Sequence, residues 1–176
     1  MSDEVQPLPI EIREYDPEWA RWYAEEVAGL SSDTDLSFHH IGSTSVPGCA
    51  AKPIIDIMAV AESMDRYYSG YRAILVGSHG YSAHGEYGVV GREFLTKYAN
   101  RKFNLSVFAQ GDPNIVRNLE FRERLRNDSG FRSEYVRLKR ILAVASSQDM
   151  AAYNSGKSTL IARAIRGRTL TLWVPK

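Results

Sequence analysis

His39-His40-Ile41-Gly42-Ser43-Thr44-Ser45-Val46-Pro47-Gly48, running on to Lys52-Pro53-Ile54-Ile55-Asp56-Ile57-Met58-Ala59-Val60, reads as a strand, a tight turn and a second strand. The first strand ends in Gly42-Ser43. The second is an apolar run of the fully buried kind, broken by one carboxylate, Asp56. A dry, unpaired carboxylate among Ile54, Ile55, Ile57 and Met58 would cost several kcal/mol, so Asp56 is expected to face a wet pocket, a metal or a cation. The Gly-Ser turn offers open backbone N–H groups and a hydroxyl, the groups that cradle a phosphate.

Upstream of this block, residues 1–9 read as a loose polar arm and 10–15 alternate as a strand. Asp16-Pro17-Glu18 is a helix start, with Asp16 as cap and Pro17 in the first turn. Trp19, Trp22, Tyr23, Val27 and Leu30 mark the inward stripe of that helix, where the tryptophans serve the core. Downstream, 62–76 reads as a helix, and the glycine-rich stretch Gly85-Glu86-Tyr87-Gly88-Val89-Val90-Gly91-Arg92 reads either as a plain hairpin loop or as a loop lining the pocket with Glu86 and Arg92. Residues 92–98 and 102–109 read as two antiparallel strands.

The remainder reads as helical. One helix starts at Gly111-Asp112-Pro113 and presents Ile115, Val116, Leu119, Phe121 and Leu125. A second, over 129–146, turns Tyr135, Leu138, Ile141, Leu142 and Val144 inward and Arg132, Arg137, Lys139 and Arg140 to other sides. A last helix is capped by Asp149 and carries Tyr153, Lys157, Ile161 and Ile165. The apolar tail 169–176 reads as an added strand, an edge cover or a contact for a second subunit, making a homodimer an expectation.

The totals narrow the classes. The chain has 176 residues, which suits a single domain over 1–176, and it is 44% hydrophobic and 24% charged, an ordinary globular composition. With 22 basic against 21 acidic residues there is no electrostatic case for nucleic-acid binding. One cysteine, Cys49, leaves no internal disulfide and fits a reducing cytoplasm. No stretch reads as a signal peptide or reaches the ~20 apolar residues of a membrane span.

His40-Ile41-Gly42-Ser43-Thr44, Val46-Pro47-Gly48 and Lys52-Pro53-Ile54-Ile55-Asp56-Ile57 together resemble the signature of the GrpB family, also called UPF0157. The resemblance extends over roughly residues 10–166, through the Tyr-Asp-Pro-x-Trp opening, the Gly-Glu-x-Gly-x-x-Gly-Arg stretch, Phe121-Arg122-x-Arg124-Leu125-Arg126 and Tyr135-x-x-Leu138-Lys139. It implies an α+β nucleotidyltransferase-like fold: a mixed sheet flanked by helices, with a helical C-terminal part. Enzymes of that broad fold place Gly-Ser at the end of one strand and an Asp-x-Asp/Glu pair on the next, where the carboxylates hold Mg²⁺ against a nucleoside triphosphate.

The chain meets that pattern in part. The partner of Asp56 on the strand should be residue 58, and Met58 is a poor ligand for a hard cation. Where many GrpB-like chains carry His-Leu-His, this one carries Asn104-Leu105-Ser106. What remains is Asp56 and Ser43 as catalytic candidates, with Asp56, and Glu86 beside it, for a single Mg²⁺ brought in with ATP or another nucleoside triphosphate. Gly42, Ser43, Thr44, Lys52, Glu86, Arg92, Lys102, Asn104, Lys139, Arg140 and Lys157 are the candidates for holding substrate and phosphate. By the family pattern His40, rather than His39, enters the pocket.

Three functions fit: an enzyme transferring a nucleotidyl group to a small molecule or activating one for ligation; a degenerate member that binds a nucleotide or phosphometabolite without turnover; and a pocket repurposed for metal-independent acid/base chemistry by Tyr81, His84 and the region of Tyr98.

Overall fold

The computed structural model describes residues 10–145 together with Tyr153, Asn154 and Gly156. The arm 1–9, the Asp149 cap, Lys157 and the tail 169–176 lie outside the described residues.

A five-stranded mixed sheet forms the frame. Its strands are β1 (Ser37–Ile41), β2 (Ile55–Ala61), β3 (Ser82–Ala83), β4 (Glu93–Tyr98) and β5 (Lys102–Ala109), in the order β1-β2-β5-β4-β3. β2 and β5 run parallel at the centre, and the other pairs are antiparallel. The β-branched and aliphatic run of β2 suits that central position, where both faces are covered.

Side-chain alternation then sorts the sheet into two faces. One carries Ile55, Ile57, Ala59, Phe103, Leu105, Val107 and Leu95, all buried in the main core. That face is covered by α1 (Glu18–Asp33), whose Trp19 and Leu30 are buried, and by a composite helix. The composite helix consists of α2 (Met64–Arg66), a π-helical turn over Tyr67–Tyr71 and α3 (Arg72–Gly77), and its Tyr67 and Leu75 complete the core. The other face carries Asp56, Met58, Asn104, Ser106, Phe94, Thr96 and Tyr98, as the register requires. Near β1 it is covered by α4 (Pro113–Asn127), whose Ile115 and Leu119 pack on Ile41, Met58 and Phe108. α5 (Ser129–Ala145) follows, and its Phe131 and Tyr135 join Leu125, Val46 and Cys49 in a separate cluster against the turn.

The start of α4 behaves as read, whereas at α1 Pro17 stands immediately before the helix. Asp16 accepts a hydrogen bond from Glu18 N at 2.9 Å, and Asp112 one from Asn114 N at 2.7 Å, with Pro113 in the first turn of α4.

Three readings are corrected. Residues 10–15 form no strand; they contribute one antiparallel bridge, Arg13 to Ala51, with both backbone bonds made (2.8 and 2.9 Å). The bridge partner lies in the loop after the Gly-Ser turn, which offers no longer edge to extend along. Val116, Ile141 and Val144 are exposed rather than inward, because α4 and α5 bury narrower stripes than their apolar content suggests. Lys139, read as pointing to another side of its helix, is buried with Phe131 and Tyr135.

Candidate functional site

The turn after β1 is built around Gly42. Its φ of +69° and ψ of −172° belong to a region open essentially to glycine. A Cβ there would stand 2.5 Å from Asp56 Oδ2, so the turn and the carboxylate are pressed together. Ser43–Ser45 then make one 3₁₀ turn, closed by Ser45 Oγ donating to Gly42 O at 2.6 Å.

Lys139 reaches this turn from α5. It is 3% exposed, and its ammonium donates to Ser43 Oγ at 2.8 Å, to Ala50 O, and to Cys49 Sγ at 3.7 Å. Those three bonds account for its three N–H groups. Burial lowers its pKa, while Cys49 and the charge of Asp56 oppose that shift. The Tyr135 hydroxyl hydrogen-bonds Ser43 as well, and burial pushes its pKa far up. Its ring lies under the ammonium, 4.7 Å from the centroid. Lys52 is a second cation within the field of Asp56. Burial lowers its pKa, Asp56 raises it, and its Nζ lies 4.9 Å from the ring centre of Tyr153.

On the sheet side, Asp56 Oδ1 accepts from Asn104 Nδ2 at 2.9 Å, and Asn104 Oδ1 accepts from Tyr98 OH at 2.9 Å. Burial, with the charge of Asp56 and then Tyr87, pushes the Tyr98 hydroxyl up to about 12, so Tyr98 keeps its proton and donates the hydrogen bond to Asn104. Two further side chains steady the turn from α4. Arg122 donates to His40 O at 3.0 Å, and Arg126 to Ser45 O at 2.9 Å.

The structure therefore gathers Gly42, Ser43, Lys52, Asp56, Asn104 and Lys139 at one place, with Lys102 one register step beyond Asn104 on the same face. It takes others elsewhere. Thr44 is buried, and its Oγ1 lies 3.1 Å from His40 Nε2. His40 pairs with Ile57 in the register and so occupies the face opposite Asp56, stacked 4.6 Å from Tyr23; it does not enter the pocket. Burial, then the charges of Arg126 and Arg122, lower its pKa to about 4. Glu86 and Arg92 close their own loop: Glu86 Oε1 accepts from Gly91 N at 2.7 Å, and Arg92 Nη2 donates to Tyr87 O at 2.7 Å. Arg140 is exposed and pairs with Glu14 on the outside of α5. Tyr81 is buried in the main core, where its hydroxyl donates to Glu26 at 3.0 Å, which removes it as an acid/base group of this site.

Reading the sequence missed Tyr135, Arg122 and Arg126. The first is detectable by its spacing, four residues before Lys139 on one helix face.

Behind the turn, an open cavity of about 600 Å³ is lined by Tyr15, His40, Thr44, Ser45, Arg126 and Arg132. It does not reach Asp56 or Lys139, and the polar chemistry lies on the other side of the turn.

A metal site must be judged by its donors. Met58 is fully buried against Ile41 and Phe108, so the second carboxylate position of the strand is core. Among the described residues no group of three or more His, Cys, Asp or Glu is assembled. Asp56 is one hard oxygen ligand beside the Gly42–Ser43 turn. That set fits an Mg²⁺ that arrives already bound to phosphates, since Mg²⁺ takes one or two carboxylates and completes its shell with substrate oxygens and water. Among the described residues no helix is long and apolar enough to cross a membrane.

Comparison with known proteins agrees with this geometry. The profile of the family described as GrpB protein matches residues 9–166. The UPF0157 protein YqkA of Bacillus subtilis is 34% identical over 159 residues, covering 88% of this chain and 46% of that protein. The chain thus spans about half of that relative's length. The UPF0157 protein BH1888 of Halalkalibacterium halodurans is 32% identical over 168 residues, covering 92% and 84%. The crystal structure of conserved protein GrpB from Enterococcus faecalis superposes with a TM-score of 0.77 at 29% identity, covering 89% of this chain and 98% of that one. Terminal uridylyl transferase 4 from Trypanosoma brucei, solved with bound CTP, superposes with a TM-score of 0.52 at 12% identity, covering 88% and 52%, a likeness of fold alone. The sheet order, the Gly-Ser turn beside Asp56 and these matches together show that the chain belongs to the GrpB family and has a nucleotidyltransferase-like fold.

Proposed function

We propose that this protein binds a nucleoside triphosphate with its phosphates at the Gly42–Ser43 turn. It then transfers the nucleotidyl group to a small molecule with release of pyrophosphate, or to a carboxylate whose nucleotidylate is ligated with release of nucleoside monophosphate. The observation that carries this reading is the buried Lys139 ammonium fixed on Ser43 Oγ beside Asp56. Phosphoryl and nucleotidyl transfer ask a protein mainly for positioning and charge neutralisation, and a preorganised cation in a water-poor setting supplies both.

Within this reading each residue has a task. Gly42 lets the turn close directly against the Asp56 carboxylate, because a Cβ there would meet it. The backbone N–H groups at the head of the turn hold non-bridging oxygens, beside the Ser43 hydroxyl that Lys139 and Tyr135 fix. Lys139 and Lys52 balance the phosphate charge. Asp56 orients the attacking group, takes up its proton and meets any Mg²⁺ that enters with the triphosphate. That ion would supply further charge neutralisation at the phosphates. Asn104 and Tyr98 hold the Asp56 carboxylate in one orientation.

The test follows the α-phosphate. An α-labelled triphosphate is incubated with the protein, Mg²⁺ and a small-molecule extract. The expected result is label in a new small molecule or in released nucleoside monophosphate, abolished by Asp56→Asn. An Asp56→Asn variant that retains the labelling contradicts the mechanism.

A second reading is binding without turnover. It is favoured by one observation: Met58, at the second carboxylate position of the strand, is core, and the polar neighbour that Asp56 accepts from is the amide of Asn104. Metal-independent binding of the triphosphate with no label transfer would select it.

A further inference from the structure

The register pairs Thr96 with Asn104 and Asn104 with Asp56, so β4 presents Phe94 and Thr96 on the same face as the turn chemistry. An aromatic shelf stands on that face. Tyr87, in the loop before β4, stacks on Phe94 with ring centroids 5.1 Å apart and 22° between planes. His84 leans on both rings, 6.1 Å from Tyr87 and 5.8 Å from Phe94, and its Nε2 lies 2.8 Å from Thr96 Oγ1. Arg92 sits 4.7 Å from the Phe94 ring centre and holds Tyr87 O through Nη2.

Two features of Tyr87 have no explanation in packing. Tyr87 is 69% exposed although one face of its ring rests on Phe94. Its φ is +44°, a conformation unfavourable for a bulky residue and maintained here by the Glu86–Gly91 and Arg92–Tyr87 bonds that close the loop. Strain held by its surroundings at an exposed aromatic is a mark of a binding surface. From the shelf to Asp56 the face is polar: Thr96, then Tyr98 bonded to Asn104, then Asn104 bonded to Asp56. Three strand spacings, about 14 Å, separate β4 from β1, whose end carries the Gly42–Ser43 turn, a span that the sugar and phosphate chain of a nucleotide together bridge.

We propose that Tyr87 is the stacking platform for the planar heteroaromatic ring of the nucleotide whose phosphates lie at Ser43, with Thr96 and His84 at the ring's polar edge. This inference rests on the nucleotide reading above. Every nucleobase has a π-face, so the shelf supplies affinity for a base in general, and the polar edge supplies the choice among bases.

The test uses calorimetry on the full chain with three probes: ATP or UTP, inorganic tripolyphosphate, and the matching nucleoside. Wild type is expected to bind the nucleotide more tightly than tripolyphosphate by roughly five- to a hundredfold, the range of one base–aromatic stack. Tyr87→Ala should erase that margin and leave tripolyphosphate binding unchanged, while Tyr87→Phe should keep the margin. Equal affinity for nucleotide and tripolyphosphate in wild type, or a margin unchanged in Tyr87→Ala, overturns the shelf and leaves the phosphate reading standing. Tyr87-dependent binding of the nucleoside without any binding of tripolyphosphate supports the shelf and overturns the phosphate reading. Binding of none of the three overturns both.

Discussion

Gly42 shows how tightly the turn and the carboxylate are fitted. Gly42→Ala forces a methyl group to 2.5 Å from Asp56 Oδ2 in a backbone region that alanine avoids. The expected cost is about 1–3 kcal/mol, read as a fall in Tm of several degrees, together with loss of the Mg²⁺ dependence of nucleotide binding as Asp56 is displaced. An unchanged Tm would mean that the turn relaxes freely. His40 gives a pH-dependent test. Its folded pKa of about 4 lies below the unfolded value, so the folded state resists its protonation. Stability is therefore full above pH ~6.5 and is lost as pH falls toward 4, by ~3 kcal/mol at the limit. Chemical denaturation across pH 4–7 should show this slope, and His40→Gln should flatten it. That Asp56 and Gly42-Ser43 come together was legible from their types and spacing. Lys139 was not legible as buried, because it sits among Arg137, Arg140 and other charges that disguise the face it shares with Phe131 and Tyr135.

Among the elements, β1, β2, β4 and β5 were legible because their residues are apolar or alternate over strand-length runs, and α4 because Asp112-Pro113 marks its start. Their tasks were less legible. Arg122 and Arg126 read only as members of a resembling motif with no task, yet each donates to a carbonyl of the β1–turn segment, at His40 and Ser45. Such long-range bonds depend on tertiary placement and leave no periodic trace. The π-helical turn over Tyr67–Tyr71 was likewise invisible within a continuous helical pattern. It buries Tyr67 completely, and among the described residues its hydroxyl has no hydrogen-bond partner. Tyr67→Phe removes an unpaired polar atom and should stabilise the protein by about 1 kcal/mol. Thermal unfolding measures this, and a clear loss of stability would point to a partner for that hydroxyl.

At the scale of the whole molecule, the sheet separates two jobs. One face holds α1 and the composite helix in a conventional core. The other carries a polar and aromatic surface from the Gly-Ser turn across Asp56 and Asn104 to Tyr98 and Tyr87. The parallel β2–β5 pair puts Asn104 directly beside Asp56 although 48 residues separate them. That juxtaposition was legible only as an aligned position in a resembling family, since long-range pairing is set by sheet order and not by local pattern. The same alignment placed His40 in the pocket, and the antiparallel register of β1 against β2 puts it on the opposite face.

The measurement that tests the account most directly is the Tm of wild type, Asp56→Asn and Lys139→Gln, each with and without Mg²⁺ and a nucleoside triphosphate. At a ligand concentration one hundred times Kd, binding stabilises the folded state by about 2.7 kcal/mol, which for a chain of this size raises Tm by roughly 5–10 °C. The account predicts a rise of that order in wild type, a rise in Asp56→Asn that no longer depends on Mg²⁺, and little or none in Lys139→Gln. A rise in Lys139→Gln equal to that of wild type, or none in wild type with any triphosphate, would contradict the claim that this turn is a phosphate site.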